Sequence, residues 1–299
     1  MSLKRSILSL PARLPLGVLY VAATLGAVVL HRLVGYRRKV IRHNLELCFP
    51  EMTQRERRRI ERDFYHRFAD YAVETFKLLH VSDAEMSQRM RFENLDIIDN
   101  HLKAGRSVAV YFSHSFNWEW APAISLHTAV KPSEKVTFAQ VYRPLKSKKF
   151  DALMLELRGR FHSVSIPKDH TARQLLDWHR RGVVSVTGFM SDQHPGWGDG
   201  GMPVRLFGQP TMMISGTEAL ARKMKMAVVY WDMKRTSRGH YIIDVKQITP
   251  DASRCADGEI TRQYTRLLEQ GIRRDPSLWL WSHNRWKHPL TPEQLNALD

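Results

Sequence analysis

The sequence predicts an α/β protein: a mainly parallel central sheet flanked by helices, with an N-terminal membrane-anchoring helix and a basic amphipathic helix ahead of it. Three observations carry that expectation. Residues 14–30, "LPLGVLYVAATLGAVVL", hold no charged side chain. Residues 49–80 repeat apolar side chains at helical spacing. From residue 107, short β-branched runs alternate with helical-period segments, the pattern of strands joined by crossover helices. A chain of 299 residues that is 43% hydrophobic can bury a sizeable core, which excludes a disordered chain.

The apolar run comes first and is framed by charge. A formal net charge of +16 and a pI of about 10.1 imply an anionic partner: nucleic acid, acidic protein, anionic lipid or a phosphorylated small molecule. Residues 1–70 hold fourteen Lys or Arg against six Asp or Glu, so their net +8 is half of the total. Lys4 and Arg5 precede the run, and Arg32, Arg37, Arg38 and Lys39 follow it. A cleaved signal peptide lacks a convincing small-residue cleavage site here, and a soluble core helix is the alternative without lipid. An anchor that spans the bilayer or lies in one leaflet accounts for both basic flanks, because each cation near anionic headgroups contributes about 1 kcal/mol. Basic residues on both flanks leave the orientation open, with the larger cluster after residue 31 favouring the remainder on the cytoplasmic side. We therefore expect an anchor and basic flank over 1–39 and one domain over 40–299, since no repeat or low-complexity linker interrupts the latter.

In "FPEMTQRERRRIERDFYHRFADYAVETFKLLH" (49–80), Thr53 and Glu56 spell a capping box. Ile60, Phe64, Phe68, Tyr71, Thr75 and Leu78 line one face, while Arg55, Arg57, Arg58, Arg59 and Arg62 crowd the entry. Those arginines suit either a solvated face or lipid headgroups. Strands are predicted at 107–112, 135–142, 182–189, 226–234 and 239–248, with helices at 117–130, 146–160, 169–180 and 214–225. Cys48 and Cys255 have no CxxC spacing, so a reducing compartment and no zinc cluster are expected.

The chemistry concentrates in "VAVYFSHSFNWEW" (108–120). If the strand ends at Phe112 and Asn117 caps the next helix, His114 sits on the connecting loop and Glu119 in the helix's first turn. The loop then folds the imidazole onto the carboxylate, which makes a general base at the carboxyl end of a parallel strand, where ligands gather. Other features are less specific. "GWGDGG" (196–201) lacks the Lys and Ser/Thr of a P-loop and reads as a flap. Fourteen histidines are scattered without metal-ligand spacing, so no metal and no cofactor is expected. Trp279, Trp281 and Trp286 suit a core strand or a membrane-interface belt.

"HSFNWE" resembles the H-x4-[DE] motif of the lysophospholipid acyltransferase superfamily, in the version of the lipid A late acyltransferases (lauroyl/myristoyl acyltransferases). Further blocks are similar in order: "HNLELCFPE" (43–51), "VYRP" (141–144), "SDQHPG" (191–196), "LFGQPT" (206–211), "SGTEALARKMKMAVVY" (215–230) and "WLWSHNRWK" (279–287). The resemblance implies an inner-membrane enzyme with its catalytic domain on the cytoplasmic side. It would transfer a fatty acyl group from acyl carrier protein to a hydroxyl of an anionic glycolipid, a lipid A precursor. It implies that His114 is the base and that Glu119 orients it, without an acyl-enzyme. Arg143 and Arg158 match family arginines, and Asp192 and Gln193 follow a strand at its carboxyl end; all four are expected to bind substrate. Tyr230 stands where the superfamily's fourth block usually carries proline. The superfamily also acylates other glycolipids, phospholipids and aminolipids. From other classes, a membrane-tethered nucleic-acid-binding protein and a non-catalytic scaffold fit the charge but not His114 beside Glu119; nucleic acid is therefore not an expected partner.

Overall fold

Val108–Phe112 organises the molecule: all five of its residues are buried, as a strand covered on both faces requires. The structure is a computed structural model and describes residues 11–196 and 199–298. In chain order the strands are β1 (Met90–Glu93), β2 (Val108–Phe112), β3 (Val136–Tyr142), β4 (Ser163–Pro167), β5 (Val184–Met190), β6 (Gly201–Leu206), β7 (Gln209–Ile214), β8 (Ala227–Ser237) and β9 (His240–Thr249). Seven form one sheet in the order β1-β9-β8-β2-β5-β3-β4. Every neighbouring pair is parallel except β8 and β9. Strands β6 and β7 form a separate antiparallel hairpin. The longer helices are α1 (Leu16–Val28), α2 (Arg38–Cys48), α3 (Gln54–Lys77), α4 (Asp83–Arg89), α5 (Asp96–Lys103), α6 (Lys148–Arg158), α7 (Thr171–Arg180), α8 (Gly216–Lys223) and α9 (Glu259–Arg274).

The mainly parallel sheet agrees with the sequence, and all five predicted strands form. Four strands escape the pattern. β1 and β4 are short and lie at the two edges of the sheet, where little burial is needed to seat them. The β6–β7 hairpin turns on Phe207 and Gly208, both with positive φ (56° and 71°), a geometry that suits the twist of paired strands. The helix predicted over 117–130 is instead a 3-10 segment, Trp118–Ala123, followed by one helical turn, Ile124–His127. Pro122 lies inside that segment and has no N–H to continue the ladder. Asn117 does cap it, its side-chain oxygen accepting from the Glu119 amide at 3.1 Å.

Helix α1 runs on through a π-helical stretch, Val29–Val34, so that Leu16–Val34 is long and apolar enough to cross a membrane. Its spacing divides it lengthwise. Leu16, Leu19, Ala23 and Ala27 are buried and the helix lies against α3, while Val21 and Leu25 on the other side are 64% and 65% exposed. Polar clamps hold it there. Lys77 Nζ donates to the carbonyls of Ala12 and Leu14 at 3.2 and 3.0 Å. Arg238, at the tip of the β8–β9 hairpin, donates to Tyr20 O and Thr24 Oγ1, both at 3.0 Å. Gly239 beside it has φ +71°, and a Cβ there would run into the Tyr20 hydroxyl.

Both halves of the capping box at the start of α3 are present, with Thr53 N donating to Glu56 Oε2 at 2.7 Å and Glu56 N to Thr53 Oγ1 at 3.3 Å. Because α3 is covered from more than one side, it buries Glu61, Asp70 and Glu74 as well as Phe64, Tyr65 and Thr75. Arg42 partners Glu61 at 2.8 Å, and Arg238 partners Asp70. Its helical spacing is visible in the sequence; this second buried face is not.

Candidate active site

Strands β2 and β5 are in register, Phe112 opposite Met190. Each chain then leaves the sheet, and two residues further on stand His114 and Asp192. The imidazole Nδ1 lies 2.7 Å from Asp192 Oδ1, and the His114 amide donates to Oδ2 at 3.1 Å. Trp279 Nε1 donates to the same Oδ2 at 2.8 Å. Burial pushes the Asp192 carboxyl up, but the facing imidazole and these donors outweigh it and hold it below the ordinary carboxylate range. An ionised carboxylate only accepts, so Nδ1 carries the proton and Nε2 the lone pair. Gln193 Nε2 stands 3.3 Å from that lone pair, and the His114 side chain keeps 16% of its surface exposed.

The loop that carries His114 is fixed from behind. Tyr264 Oη donates to Phe112 O, and Phe116 N to Leu278 O, both at 3.1 Å. Ser115 pairs with Trp279 as an isolated bridge. The segment after residue 276 is anchored in turn by fully buried Arg285, which donates to Thr211 Oγ1 at 2.7 Å and Met212 O at 2.6 Å. Trp279 and Trp281 are 3% and 0% exposed, so they are core residues and not an interface belt.

Glu119 is not the partner of His114. Its carboxylate is buried and takes a two-pronged contact from Arg158, Nε to Oε2 at 2.8 Å and the terminal nitrogen to Oε1 at 2.6 Å. Trp118 Nε1 donates to Oε1 at 3.1 Å, and the Tyr71 hydroxyl approaches it at 3.4 Å. The 3-10 segment aims Glu119 toward α6, whereas His114 departs alongside β5. Burial works against the Arg158 cation, but the bonds and charge of Glu119 outweigh it and raise its pKa above the ordinary value. Burial foremost, then Glu119, pushes the Tyr71 phenol well up. The two groups meet through Trp118, whose ring lies edge-on to the imidazole at 5.1 Å while its N–H holds Glu119.

Glu119 and Arg158 form the polar part of a cavity of about 40 Å³ between β2, β3, β5 and the 3-10 segment. Phe112, Trp118, Ile124, Phe138, Val186, Met190 and Trp231 supply its apolar wall, with Gln140 and Ser163 as further polar groups. Gly188 belongs to the wall, and a Cβ there would stand 2.9 Å from Phe112 Cε1.

Residues 2–288 match the family described as "Bacterial lipid A biosynthesis acyltransferase". The chain belongs to that family. A lipid A biosynthesis acyltransferase of Haemophilus influenzae is similar to it, with 25% identity over 293 residues, covering 95% of this chain and 87% of the relative.

For this lipid A acyltransferase family member, the sequence-predicted residues fall into two groups. His114, Asp192 and Gln193 form one contact set, and Glu119 with Arg158 forms another. Arg143 belongs to neither: at the carboxyl end of β3 its side chain is 66% exposed and lies 3.6 Å from Asp199. Lys168 holds the same carboxylate at 2.8 Å, so Asp199 ties the predicted flap to the ends of β3 and β4; Gly196 and residues 199–201 of that flap are described, and Trp197 and Gly198 lie outside the described residues. Sequence reasoning missed the roles of Trp118, Trp279 and Tyr71. Among the described residues, no three His, Cys, Asp or Glu side chains stand together as metal ligands.

Proposed function

We propose that the protein transfers a fatty acyl group from acyl carrier protein to a hydroxyl of a lipid A precursor at the cytoplasmic face of the inner membrane. The observation that carries this reading is the imidazole of His114, held at Nδ1 by Asp192 at 2.7 Å so that Nε2 keeps its lone pair, and packed edge-on against Trp118, whose ring lines the apolar cavity. Its apolar wall suits hydrocarbon. In the reaction, Nε2 takes the proton of the acceptor hydroxyl as its oxygen attacks the thioester carbonyl. The C–O bond forms, the C–S bond breaks, and the imidazolium returns its proton to the departing thiolate. Asp192 stabilises the imidazolium; Gln193 yields its place at Nε2 to the acceptor. Glu119 acts through Arg158 and Trp118, shaping the cavity. Arg143, exposed at the carboxyl end of β3, is positioned for an anionic group of either substrate.

Residues 1–39 serve as the anchor and 40–299 as the catalytic domain. The exposed stripe of α1 and the adjacent basic residues support this division. The test is acyl transfer from acyl carrier protein to a lipid A precursor, read by mass, with the full chain and His114→Ala. A loss of about 10²–10⁴ in the variant is expected; near-normal turnover would overturn the mechanism.

A further inference from the structure

Glu74 is fully buried on α3 and no Lys or Arg stands within ion-pair distance among the described residues. Three donors surround its carboxylate instead, each from a different element. Tyr20 Oη of α1 donates to Oε1 at 2.8 Å. Tyr241 Oη of β9 and Asn117 Nδ2 donate to Oε2 at 2.8 and 3.2 Å. Asn117, itself fully buried, uses its other side-chain atom to accept from the Glu119 amide at 3.1 Å. A line of hydrogen bonds thus runs from α1 through Glu74 and Asn117 to the backbone amide of Glu119, whose side chain pairs with Arg158. Trp120 Nε1 adds a parallel link to Glu74 O at 3.0 Å.

We propose that Glu74 is a positioning residue that couples the seating of α1 to the turn bearing Glu119, so that a docked apolar helix sets the site for turnover. The proposal rests on the acyl-transfer reading only for what turnover means. The choice of residues favours it: an apolar Leu or Met would satisfy packing at the α1–α3 contact, whereas a buried carboxylate requires all three donors to be in place at once. Burial pushes its pKa up to about 7 against the bonds from Tyr20, Tyr241 and Asn117. The other charged groups facing this cluster are Asp70 on α3, Arg89 on α4, and Arg235 and Arg238 on the β8–β9 hairpin.

The test uses the full chain on phosphatidylglycerol-containing vesicles, with Tyr20→Phe, Glu74→Gln, the double variant, and Thr24→Val as a control on the same helix. Thr24 contacts Arg238 and Tyr20 O but not Glu74. Tyr20→Phe should lower kcat and speed hydrogen exchange of the amides over 117–123, each about fivefold, the scale of one hydrogen bond. KM and vesicle binding should hold, and Tm should fall by only a few degrees, the scale of one buried hydrogen bond. The double variant should be no worse than Glu74→Gln alone, while Thr24→Val combined with Glu74→Gln should add. Additive effects of Tyr20→Phe and Glu74→Gln, or unchanged exchange over 117–123 in Tyr20→Phe, would overturn the coupling. If exchange responds as expected while the parent protein transfers no acyl group, the coupling stands and the acyl-transfer reading fails.

Discussion

Asp192→Asn separates the observed partner of His114 from the one the sequence suggests. Asp192 takes three donors at 2.7, 3.1 and 2.8 Å while 1% exposed. Asparagine keeps the shape but offers one accepting oxygen. With that oxygen held by Trp279 and the His114 amide, its NH2 meets Nδ1, which must then present its lone pair. The proton moves to Nε2, and the base points the wrong way. A tautomer fault of this kind costs about 10²–10⁴ in kcat. Exchanging charge-assisted bonds for neutral ones costs about 2 kcal/mol of stability, or a Tm lower by ~5 °C. Because the Asp192 carboxyl is held below its unfolded value, its stabilising effect is present above the unfolded pKa and is lost as pH falls through the folded one. The gap in Tm between parent and variant should therefore close on acidification. Single-turnover acyl transfer with matched folded protein gives the rate. If Asp192→Asn keeps turnover within threefold while Glu119→Gln loses a hundredfold, Glu119 is the functional partner and the geometry has been misjudged.

Three further outcomes can be checked. Arg158→Met strands the buried Glu119 carboxylate and should cost about 3–5 kcal/mol in urea unfolding, most of it recovered in Arg158→Met/Glu119→Gln; a loss under ~1 kcal/mol would show that the pair does not hold the turn. Gly188→Ala pushes the Phe112 ring into the cavity, so kcat/KM across donors of graded length should shift toward shorter chains, and an unchanged profile would mean the chain lies elsewhere. Arg57 donates to the Phe49 and Met52 carbonyls and is structural, but Arg55, Arg58 and Arg59 are exposed. Replacing these three by Gln should raise KM for an anionic substrate and flatten its salt dependence at constant kcat; no change in either makes them a solvated face.

Much of the sheet is legible because VAVYF can only be a strand covered on both faces, and because β3, β5, β8 and β9 share its β-branched character. Edge strands such as MRFE at 90–93 bury too little to leave a pattern. His114 stands out at the end of an apolar run, and "HSFNWE" matches a family motif. Its partner does not stand out, since the pairing of Phe112 with Met190 links residues 78 apart and fixes which carboxylate departs beside the imidazole. Proximity along the chain favoured Glu119; register selected Asp192. Pro122 is the local sign that the following helix would not continue.

The segment from residue 276 to 288 gives the protein a sense of its own completion. Translation delivers His114 early, and Asp192 well before the end, yet the indole that fixes their geometry and the backbone carbonyl that pins Phe116 are made only when Leu278 and Trp279 emerge. Arg285 then fastens that stretch to β7. A truncated chain would carry α1 but leave the His114–Asp192 pair without its indole donor. The pair is therefore completed late, and on the proposed reading a truncated chain would lack a settled base and be inert toward an acyl donor.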